Sequence, residues 1–334
     1  MVSFSIRIVP VVLLLIGLAT GVGRADTGEV NAGVRMIEVE DPVSHKPMKA
    51  AVFYPTLDGA ETTRLGLLEI GAKKDATVSL GRHPVILLSH GNGGGMFSHH
   101  DTAEFLARHG YLVAAIEHPG DNFRDDSGLG SDRVLVGRNL QLSALLDGLL
   151  RGSTAESVDA TRVGVAGFSA GGYTALTMVG AQPRFELLRP FCGQHPESVL
   201  CAGGGTIRLS SPPLAAKVDA RVRAAFVMSP VAAFFDRHGL SSVAMPVWLY
   251  AAGADAVLPP DDNARRIRSE IPALAGYTEI PEAGHFVFLA PCSPKMQSAT
   301  PALCLDKPGI DRRAVHEKLN GEMLRFFNGH LQPE

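Results

Sequence analysis

The sequence predicts an α/β protein built around a mostly parallel sheet. Apolar, β-branched runs alternate with helical patterns from residue 33 onward, and the run PVILLS at 84–89 is apolar up to its last residue. A strand without polar alternation is typical of a parallel sheet covered by helices on both faces. The chain has 334 residues, 46% hydrophobic and 19% charged, which suffices for one large domain or two smaller ones.

The predicted strands and helices follow in order along the chain. Residues 34–54 predict two strands around the turn Asp41-Pro42, which we expect to form an antiparallel edge. The run PVILLS at 84–89 predicts a buried strand, and Ser98, with Asp101 three residues later, predicts a helix start. Further strands are predicted at 111–116, 162–166, 222–228, 246–251 and 277–280, and further helices at 134–150, 173–180, 261–271 and 311–327.

Two stretches, 183–217 and 291–309, match neither pattern, and we expect them to be irregular insertions in a single domain covering 26–334. They hold all four cysteines, in the close pairs Cys192/Cys201 and Cys292/Cys304. Three pairings are possible, and two local disulfides are favoured because each closes a short loop. No C-x-x-C spacing occurs and no histidine lies at ligand spacing, so no metal site is expected here.

The first 25 residues have the layout of a signal for export. A basic Arg7 precedes an apolar run, and the sequence Gly23-Arg24-Ala25 provides a small-x-small cleavage site. The alternative is a membrane anchor, but the uncharged stretch 8–23 has 16 residues, whereas a spanning helix needs roughly 20. We therefore expect a periplasmic or secreted protein with no stable membrane span after cleavage.

The charge pattern argues against nucleic-acid binding. The formal net charge is −3, and Lys and Arg form no stripe or cluster. The sequence leaves the oligomeric state open.

The segment VAGFSAGGY at 165–173 contains the pattern G-x-S-x-G around Ser169. A predicted strand precedes it and a predicted helix follows it, which is the context of a nucleophile elbow. Such a turn lifts the serine hydroxyl clear of the sheet, and glycines keep its backbone free of collisions. Ser169 is the predicted nucleophile.

A serine nucleophile needs a base, and the base needs an acid that fixes its tautomer. In this architecture the order is Ser, acid, His. His285 is late in the chain, follows the last predicted strand and comes directly after a glycine; Asp255 follows the preceding strand. Asp261 and Asp262 are rivals, but they suit the first turn of the next helix, where acids stabilise the dipole.

The oxyanion of a tetrahedral intermediate needs hydrogen-bond donors. We expect the backbone N–H of Ala170, after the nucleophile, and that of Asn92, in the glycine-rich loop HGNGGG at 90–95. A phosphate-binding loop is the alternative, but this loop lacks the P-loop lysine and the dinucleotide spacing.

Four further residues are candidates for lining the substrate pocket or supporting the site: His90, His118, Phe168 and Phe286. Each has a plain structural alternative, as a loop-stabilising histidine or a core aromatic. His99 and His100 adjoin Asp101, but adjacent helical residues diverge too far to share an ion, so we expect a solvated helix start.

At these motifs the sequence resembles the α/β-hydrolase superfamily, and within it the dienelactone-hydrolase-like branch that includes platelet-activating-factor acetylhydrolases. The resemblance rests on VFYPT, LLSHGNGGG, AAIEHPGDN, VAGFSAGGY, AGADAVLPP and EAGHFVF. It implies an eight-stranded, mostly parallel sheet with helices on both faces. It also implies hydrolysis of carboxylic esters of short to medium acyl groups through an acyl-serine, with no cofactor. Dienelactone hydrolases proper use a cysteine nucleophile, so Ser169 favours acetylhydrolase-type chemistry on a small-molecule or lipid ester.

Two alternatives to an esterase stay open on the sequence. A peptidase or amidase uses the same triad and additionally protonates a poor amine leaving group. A non-catalytic binding module on the same fold is disfavoured because every triad position is filled.

Overall fold

The computed structural model describes residues 1–2 and 29–332. The predicted export signal, from Arg7 to Ala25, lies outside the described residues. The strands are β1 (Asn31–Glu40), β2 (Pro47–Thr56), β3 (Thr63–Leu65), β4 (Leu68–Ile70), β5 (Lys73–Lys74), β6 (His83–Ser89), β7 (Leu112–Ile116), β8 (Val158–Phe168), β9 (Val222–Met228), β10 (Val247–Ala252) and β11 (Leu274–Ile280). The α-helices are α1 (His100–Arg108), α2 (Asp132–Leu135), α3 (Gly137–Arg151), α4 (Ala170–Met178), α5 (Leu188–Gln194), α6 (Arg237–Leu240), α7 (Ala264–Ile267), α8 (Pro294–Ala299), α9 (Pro301–Cys304) and α10 (Arg312–His330). Single 3-10 turns span Ala155–Ser157, Phe185–Leu187, Val199–Cys201 and His285–Phe288.

One nine-stranded sheet organises the described residues, in the order β11-β10-β9-β8-β6-β7-β2-β1-β5. The strands from β11 to β7 in this order are parallel to one another, and β2 pairs antiparallel with both β7 and β1. The predicted mostly parallel α/β sheet is therefore confirmed. The carboxyl ends of β6, β8 and β10 meet at one edge of the sheet, which is where α/β proteins place their ligands.

Helices cover both faces of the sheet, and successive side chains of β6 point alternately into the two hydrophobic cores between the sheet and these helices. Val85 and Leu87 pack into one core with α3 and α4, whereas Ile86 and Leu88 pack into a second core with α1 and α10. All four side chains are buried, which explains why this strand has no polar alternation.

The sheet has nine strands, where about eight are expected. Residues Lys73–Lys74 add a two-residue strand, β5, parallel to β1, so the β1–β2 hairpin is not the outermost element. Such a short pairing leaves no hydrophobic pattern that sequence could reveal.

Three predicted helices differ from those observed. The helix predicted over 134–150 is two helices, α2 and α3, and the second begins at Gly137, a weak helix former. The helix predicted over 261–271 shortens to α7, because Asp262 and Asn263 form a turn on the carbonyls of the preceding prolines. Ser98 does not cap α1; its hydroxyl accepts from the amide of Gly95 at 3.0 Å instead.

The two irregular segments contain only short helices. Residues 183–217 hold α5 and two 3-10 turns, and residues 291–309 hold α8 and α9. A disulfide joins Cys192 to Cys201 in the first segment, and another joins Cys292 to Cys304 in the second. Across the described part of the chain, no helix combines the length and the apolar character that crossing a bilayer requires.

Candidate active site

The turn between β8 and α4 carries Ser169 in a strained conformation. Its φ is 57° and its ψ is −117°, a region that side-chain-bearing residues rarely adopt. The amide of Ser169 donates to the carbonyl of Met228 on β9 at 2.9 Å, which holds the turn against the sheet. Strain retained by such surroundings is typical of functional sites.

Two glycines around the serine are required by close backbone approaches. A Cβ on Gly167 would lie 2.1 Å from the carbonyl oxygen of Gly171, and one on Gly171 would lie 1.9 Å from that of Ser89. No side chain fits in these spaces. The glycines therefore permit the sharp turn that exposes the serine at the carboxyl edge of the sheet.

The structure brings the three predicted triad side chains into one chain of hydrogen bonds. Nε2 of His285 lies 3.0 Å from Oγ of Ser169, and Nδ1 lies 2.6 Å from Oδ2 of Asp255. All three residues are buried. Since a carboxylate oxygen only accepts, Nδ1 of His285 carries the proton and Nε2 presents a lone pair to the serine hydroxyl.

The carboxylate of Asp255 is fixed by its own loop. Oδ1 accepts from the amide of Val257 at 2.9 Å and from that of Leu258 at 2.8 Å, which leaves Oδ2 for the imidazole. The amide of Ala254 donates to the carbonyl of Ala283 at 2.9 Å, so the loops that carry the acid and the histidine are joined. Asp261, a predicted rival, instead pairs with Arg265 at 2.6 Å.

The two expected oxyanion donors flank the serine. Ala170 is the first residue of α4, so its amide has no acceptor inside the helix. A Cβ on Gly91 would lie 3.3 Å from the Cβ of Ser169, so the glycine-rich loop passes beside the nucleophile, and Asn92 follows directly. The side chain of Asn92 is turned away and donates to Oδ1 of Asp121 at 2.6 Å.

We compared the chain with known protein families, curated proteins and solved structures. No protein-family model and no curated protein matches the chain. Among solved structures it is similar to a ferulic acid esterase from Streptomyces cinnamoneus, determined at 2.4 Å resolution, with a TM-score of 0.65 over 93% of this chain and 94% of that chain. The two sequences are 20% identical. The chain has the α/β-hydrolase fold.

In this α/β-hydrolase fold, a buried ion pair that sequence reasoning missed supports the glycine-rich loop. Arg138 and Asp121 are each 1% exposed and pair with each other, and Arg138 also donates to the carbonyl of His90. Asp121 accepts from the side chain of Asn92 and from the amide of Gly93 at 3.0 Å. Burial alone would raise the pKa of Asp121, but Arg138 and these donors lower it below its usual range.

The sequence contains a pattern that indicates a buried position for Arg138. It lies four residues before Leu142 on α3, in line with Leu145 and Leu149, so it occupies the apolar stripe of that helix. A charge in such a stripe is a sign of a buried partner.

The structure places His90 and His118 behind the loop as fully buried, neutral groups. Nδ1 of His90 donates to the carbonyl of Gly91 at 2.6 Å, and Nε2 accepts from the amide of His118 at 3.1 Å. The ring of His118 lies between Oγ of Ser89 at 2.9 Å and Oε1 of Gln141 at 2.8 Å. Burial, with Arg138 next, lowers the pKa of His90 to about 3 and that of His118 well below its usual value.

Phe168 and Phe286 both contact the ring of His285. The buried ring of Phe168 lies 4.7 Å from the imidazole, centroid to centroid, and the half-buried ring of Phe286 lies 5.4 Å away. Phe288, which is buried, packs on Phe168 at 5.7 Å. These rings restrict how the imidazole can tilt.

Two further histidines hold the 3-10 turn that carries His285. His316 on α10 donates from Nε2 to the carbonyl of Val287 at 2.9 Å, and its Nδ1 lies 2.6 Å from Oδ2 of Asp101. Since both partners only accept, both nitrogens of His316 carry protons and the ring is a cation. Burial opposes this charge, but Asp101 outweighs it and the pKa of His316 is raised.

His99 was expected in a solvated helix start, and that expectation is wrong. The residue is 2% exposed, and its Nδ1 donates to the carbonyl of Phe288 at 2.9 Å. Burial lowers the pKa of His99 to about 4. The turn from His285 to Phe288 is therefore tied to α1 and to α10 by one histidine each. Over residues 29–332, no group of acids, histidines and cysteines is arranged to hold a metal ion.

Proposed function

We propose that this protein is an exported serine esterase that hydrolyses carboxylic esters through a covalent acyl-serine. The observation that carries the proposal is the buried chain of hydrogen bonds from Ser169 through His285 to Asp255. Oγ of Ser169 lies 3.0 Å from Nε2 of His285, and Nδ1 of His285 lies 2.6 Å from Oδ2 of Asp255. Ser169 itself lies at a strained strand-to-helix turn. The ferulic acid esterase of similar fold supports ester chemistry. The motifs quoted above support a relation to the dienelactone-hydrolase-like branch.

The first half of the reaction forms the acyl-enzyme. Nε2 of His285 accepts the hydroxyl proton as Oγ of Ser169 attacks the ester carbonyl, and Asp255 stabilises the imidazolium that results. The amides of Asn92 and Ala170 donate to the oxyanion of the tetrahedral intermediate. His285 then returns the proton to the departing alcohol.

The second half repeats these steps with water. His285 removes a proton from a water molecule, the hydroxide attacks the acyl-serine, and collapse of the second intermediate returns the proton to Oγ of Ser169. The products are a carboxylic acid and an alcohol, and every proton transfer uses Nε2 of His285. These residues suffice for the full cycle.

Hydrolysis of a 4-nitrophenyl ester series, from acetate to palmitate, tests the proposal. We expect the wild type to prefer short to medium chains and Ser169→Ala to lose about 10⁶-fold in kcat. Ser269→Ala, which changes an exposed serine two residues after α7, is the matched control and should leave activity unchanged. If the wild type and Ser169→Ala are both inactive on every ester and the wild type hydrolyses the matched amides, the protein is an amidase and the esterase proposal is wrong.

Export is part of the proposal and has its own test. The two disulfides are compatible with an oxidising compartment. The full chain, expressed in a host with a secretory pathway, should yield a mature protein whose first residue is Asp26. Recovery of the intact N-terminus in the cytoplasm would contradict export.

A further inference from the structure

A cavity of about 700 Å³ lies at the carboxyl edge of the sheet, beyond the glycine-rich loop. Its walls are formed by residues 41–49, 117–128, 131–134 and 208–210. The volume falls within the range of about 300–1,000 Å³ that small-molecule sites occupy. None of the triad residues lines it, so the proposed chemistry leaves this space unused.

The cavity and the candidate active site share one wall, the loop that follows β7. On one side of this loop, Asp121 accepts from the amide of Gly93 at 3.0 Å. On the other side, Glu117 lines the cavity. A Cβ on Gly95 would lie 3.1 Å from the ring of Phe123 and 3.5 Å from Oε2 of Glu117, so the glycine-rich loop ends where the cavity begins. The loop after β7 therefore contacts the glycine-rich loop and also bounds the cavity.

The acidic side chains of the cavity already have partners. Asp41 and Asp132 are each 1% exposed and accept backbone amide hydrogens. Glu117 pairs with Arg124, and Asp125 accepts from amides of its own loop. Glu117 is thus paired with a cation, whereas Asp41, Asp125 and Asp132 are held by uncharged donors and keep their negative charge in the wall.

Basic side chains of the cavity lack such partners. Lys46, Lys49 and Arg133 line it and are exposed. Over residues 29–332 none of the three side chains forms an ion pair or a hydrogen bond at contact distance, and the charge of Lys46 acts on the nearby carboxylate of Asp125. The side chain of Arg208 donates to the carbonyl of Leu129 at 2.7 Å, and within the described residues it pairs with no acid. The lining as a whole has five basic and four acidic side chains. The lining therefore has a net charge of +1, and Lys49 and Arg133 are exposed cations available to an anion.

An exposed aromatic ring lies beside the glycine-rich loop, next to Gly95. Phe123 is 64% exposed, and the guanidinium of Arg124 lies 4.6 Å from its ring centroid. The ring offers an apolar contact for the part of a substrate that links the ester to its charged end.

We propose that this cavity is a subsite for an anionic group of the ester substrate, a carboxylate or a phosphate held several bonds from the scissile carbonyl. The proposal rests on the esterase function and narrows its substrate class to esters with a negatively charged end. Lys46, Lys49 and Arg133 bind the anion, and Phe123 packs against the intervening chain. Charge-assisted hydrogen bonds of this kind are about twice as strong as neutral ones.

The insertion at 183–217 contributes a wall of this subsite. The amide of Asp132 donates to the carbonyl of Arg208 at 3.0 Å, and the amide of Arg208 donates to that of Gly130 at 2.9 Å. Asp132 also accepts from the amide and hydroxyl of Ser210. Residues 208–210 are therefore anchored beside α2, where they bound the cavity.

Two substrate series test the subsite in the mature protein. In the first, mono-4-nitrophenyl esters of adipic to sebacic acid, which carry a free carboxylate, are compared with their methyl-capped, neutral counterparts. In the second, 4-acetoxybenzoate is compared with its methyl ester, which places the charge on the leaving group. We expect at least one series to show a KM about tenfold lower for the anionic member at low salt, and a smaller difference at 1 M salt.

Variants separate the subsite from the catalytic machinery. Lys49→Glu and Arg133→Ala should abolish most of the anionic preference and leave kcat/KM for the methyl esters unchanged. Lys295→Ala, an exposed lysine on α8 outside the cavity, is the matched control. Phosphate-capped esters then show whether a carboxylate or a phosphate is preferred.

A binding measurement makes the test independent of turnover. Calorimetric titration of Ser169→Ala with adipate and with 4-nitrophenyl phosphate should show binding that Lys49→Glu weakens. Hydrolysis of anionic and neutral esters with equal KM in both series, together with no such binding, overturns the subsite and leaves the esterase intact. Binding that Lys49→Glu weakens, in a protein that hydrolyses no ester, overturns the esterase and retains the anion site.

Discussion

Replacing Arg138 by methionine tests whether the buried pair with Asp121 holds the glycine-rich loop in place. Methionine fills much of the same volume but leaves the carboxylate of Asp121 buried without its cation. Breaking a buried ion pair from one side costs about 3–5 kcal/mol. Both side chains are 1% exposed, so solvent screening does not reduce this figure. We expect a loss of that size in the free energy of unfolding, measured with urea at pH 7.

The same change should lower catalysis, because Asp121 positions the side chain of Asn92 and the amide of Gly93. Loss of one oxyanion donor costs about 10²–10³ in kcat, and a loosened loop should approach the lower figure. Arg151→Met, an exposed arginine on the same helix, is the matched control and should change stability by less than about 0.5 kcal/mol.

The stability that the Arg138–Asp121 pair contributes depends on pH. The folded pKa of Asp121 is lowered, so the pair contributes stability above the ordinary carboxyl pKa of 3.8 and loses it as the pH falls. In Arg138→Met the buried carboxyl gains a proton more readily, so the difference from wild type should narrow towards pH 4. A variant within 1 kcal/mol of wild type at pH 7, with unchanged kcat, would refute the reasoning.

Three further predictions concern glycine packing, a disulfide and acid sensitivity. Gly171→Ala places a Cβ 1.9 Å from a carbonyl oxygen of β6 and should lower the free energy of unfolding in urea by about 3 kcal/mol or more. In the control Gly321→Ala on α10, the nearest atom is 3.5 Å from the new Cβ, so this change should be neutral or stabilising. Equal effects of the two changes would contradict the packing argument. Replacing Cys292 and Cys304 by serine opens a link between residues 12 apart and should cost about 3 kcal/mol, and dithiothreitol should then have less effect on the variant than on wild type. Burial lowers the pKa of His99 to about 4 from 6.5, so the folded state disfavours its charged form. As the pH falls from 6.5 to 4, the free energy of unfolding should therefore decrease by at most about 1.4 kcal/mol per pH unit. His99→Gln should reduce that slope, and an unchanged slope would be evidence against this origin.

Sequence predicted the elements that depend on local pattern. The β6, β9 and β10 strands lie within one residue of their predicted bounds, because each is a mainly apolar run between polar turns. The three triad residues could be proposed because the glycines around Ser169 and the loop positions of Asp255 and His285 are local features in a known order.

Sequence could not predict the partners that the fold brings together from distant positions. Asp101 and His316 are 215 residues apart, and only the packing of α1 against α10 pairs them. His99 looked solvated because it begins a helix, yet the turn of His285 covers it. The cavity likewise forms between four separate segments, none of which has a motif of its own.

The most direct test of the central claim is the site of covalent labelling by a fluorophosphonate, which reacts only with an activated serine. Peptide mapping of the labelled, folded protein should locate the adduct on Ser169. His285→Ala should remove the labelling while the protein stays folded. An adduct on another serine, or a folded wild type that takes up no label, would contradict the account.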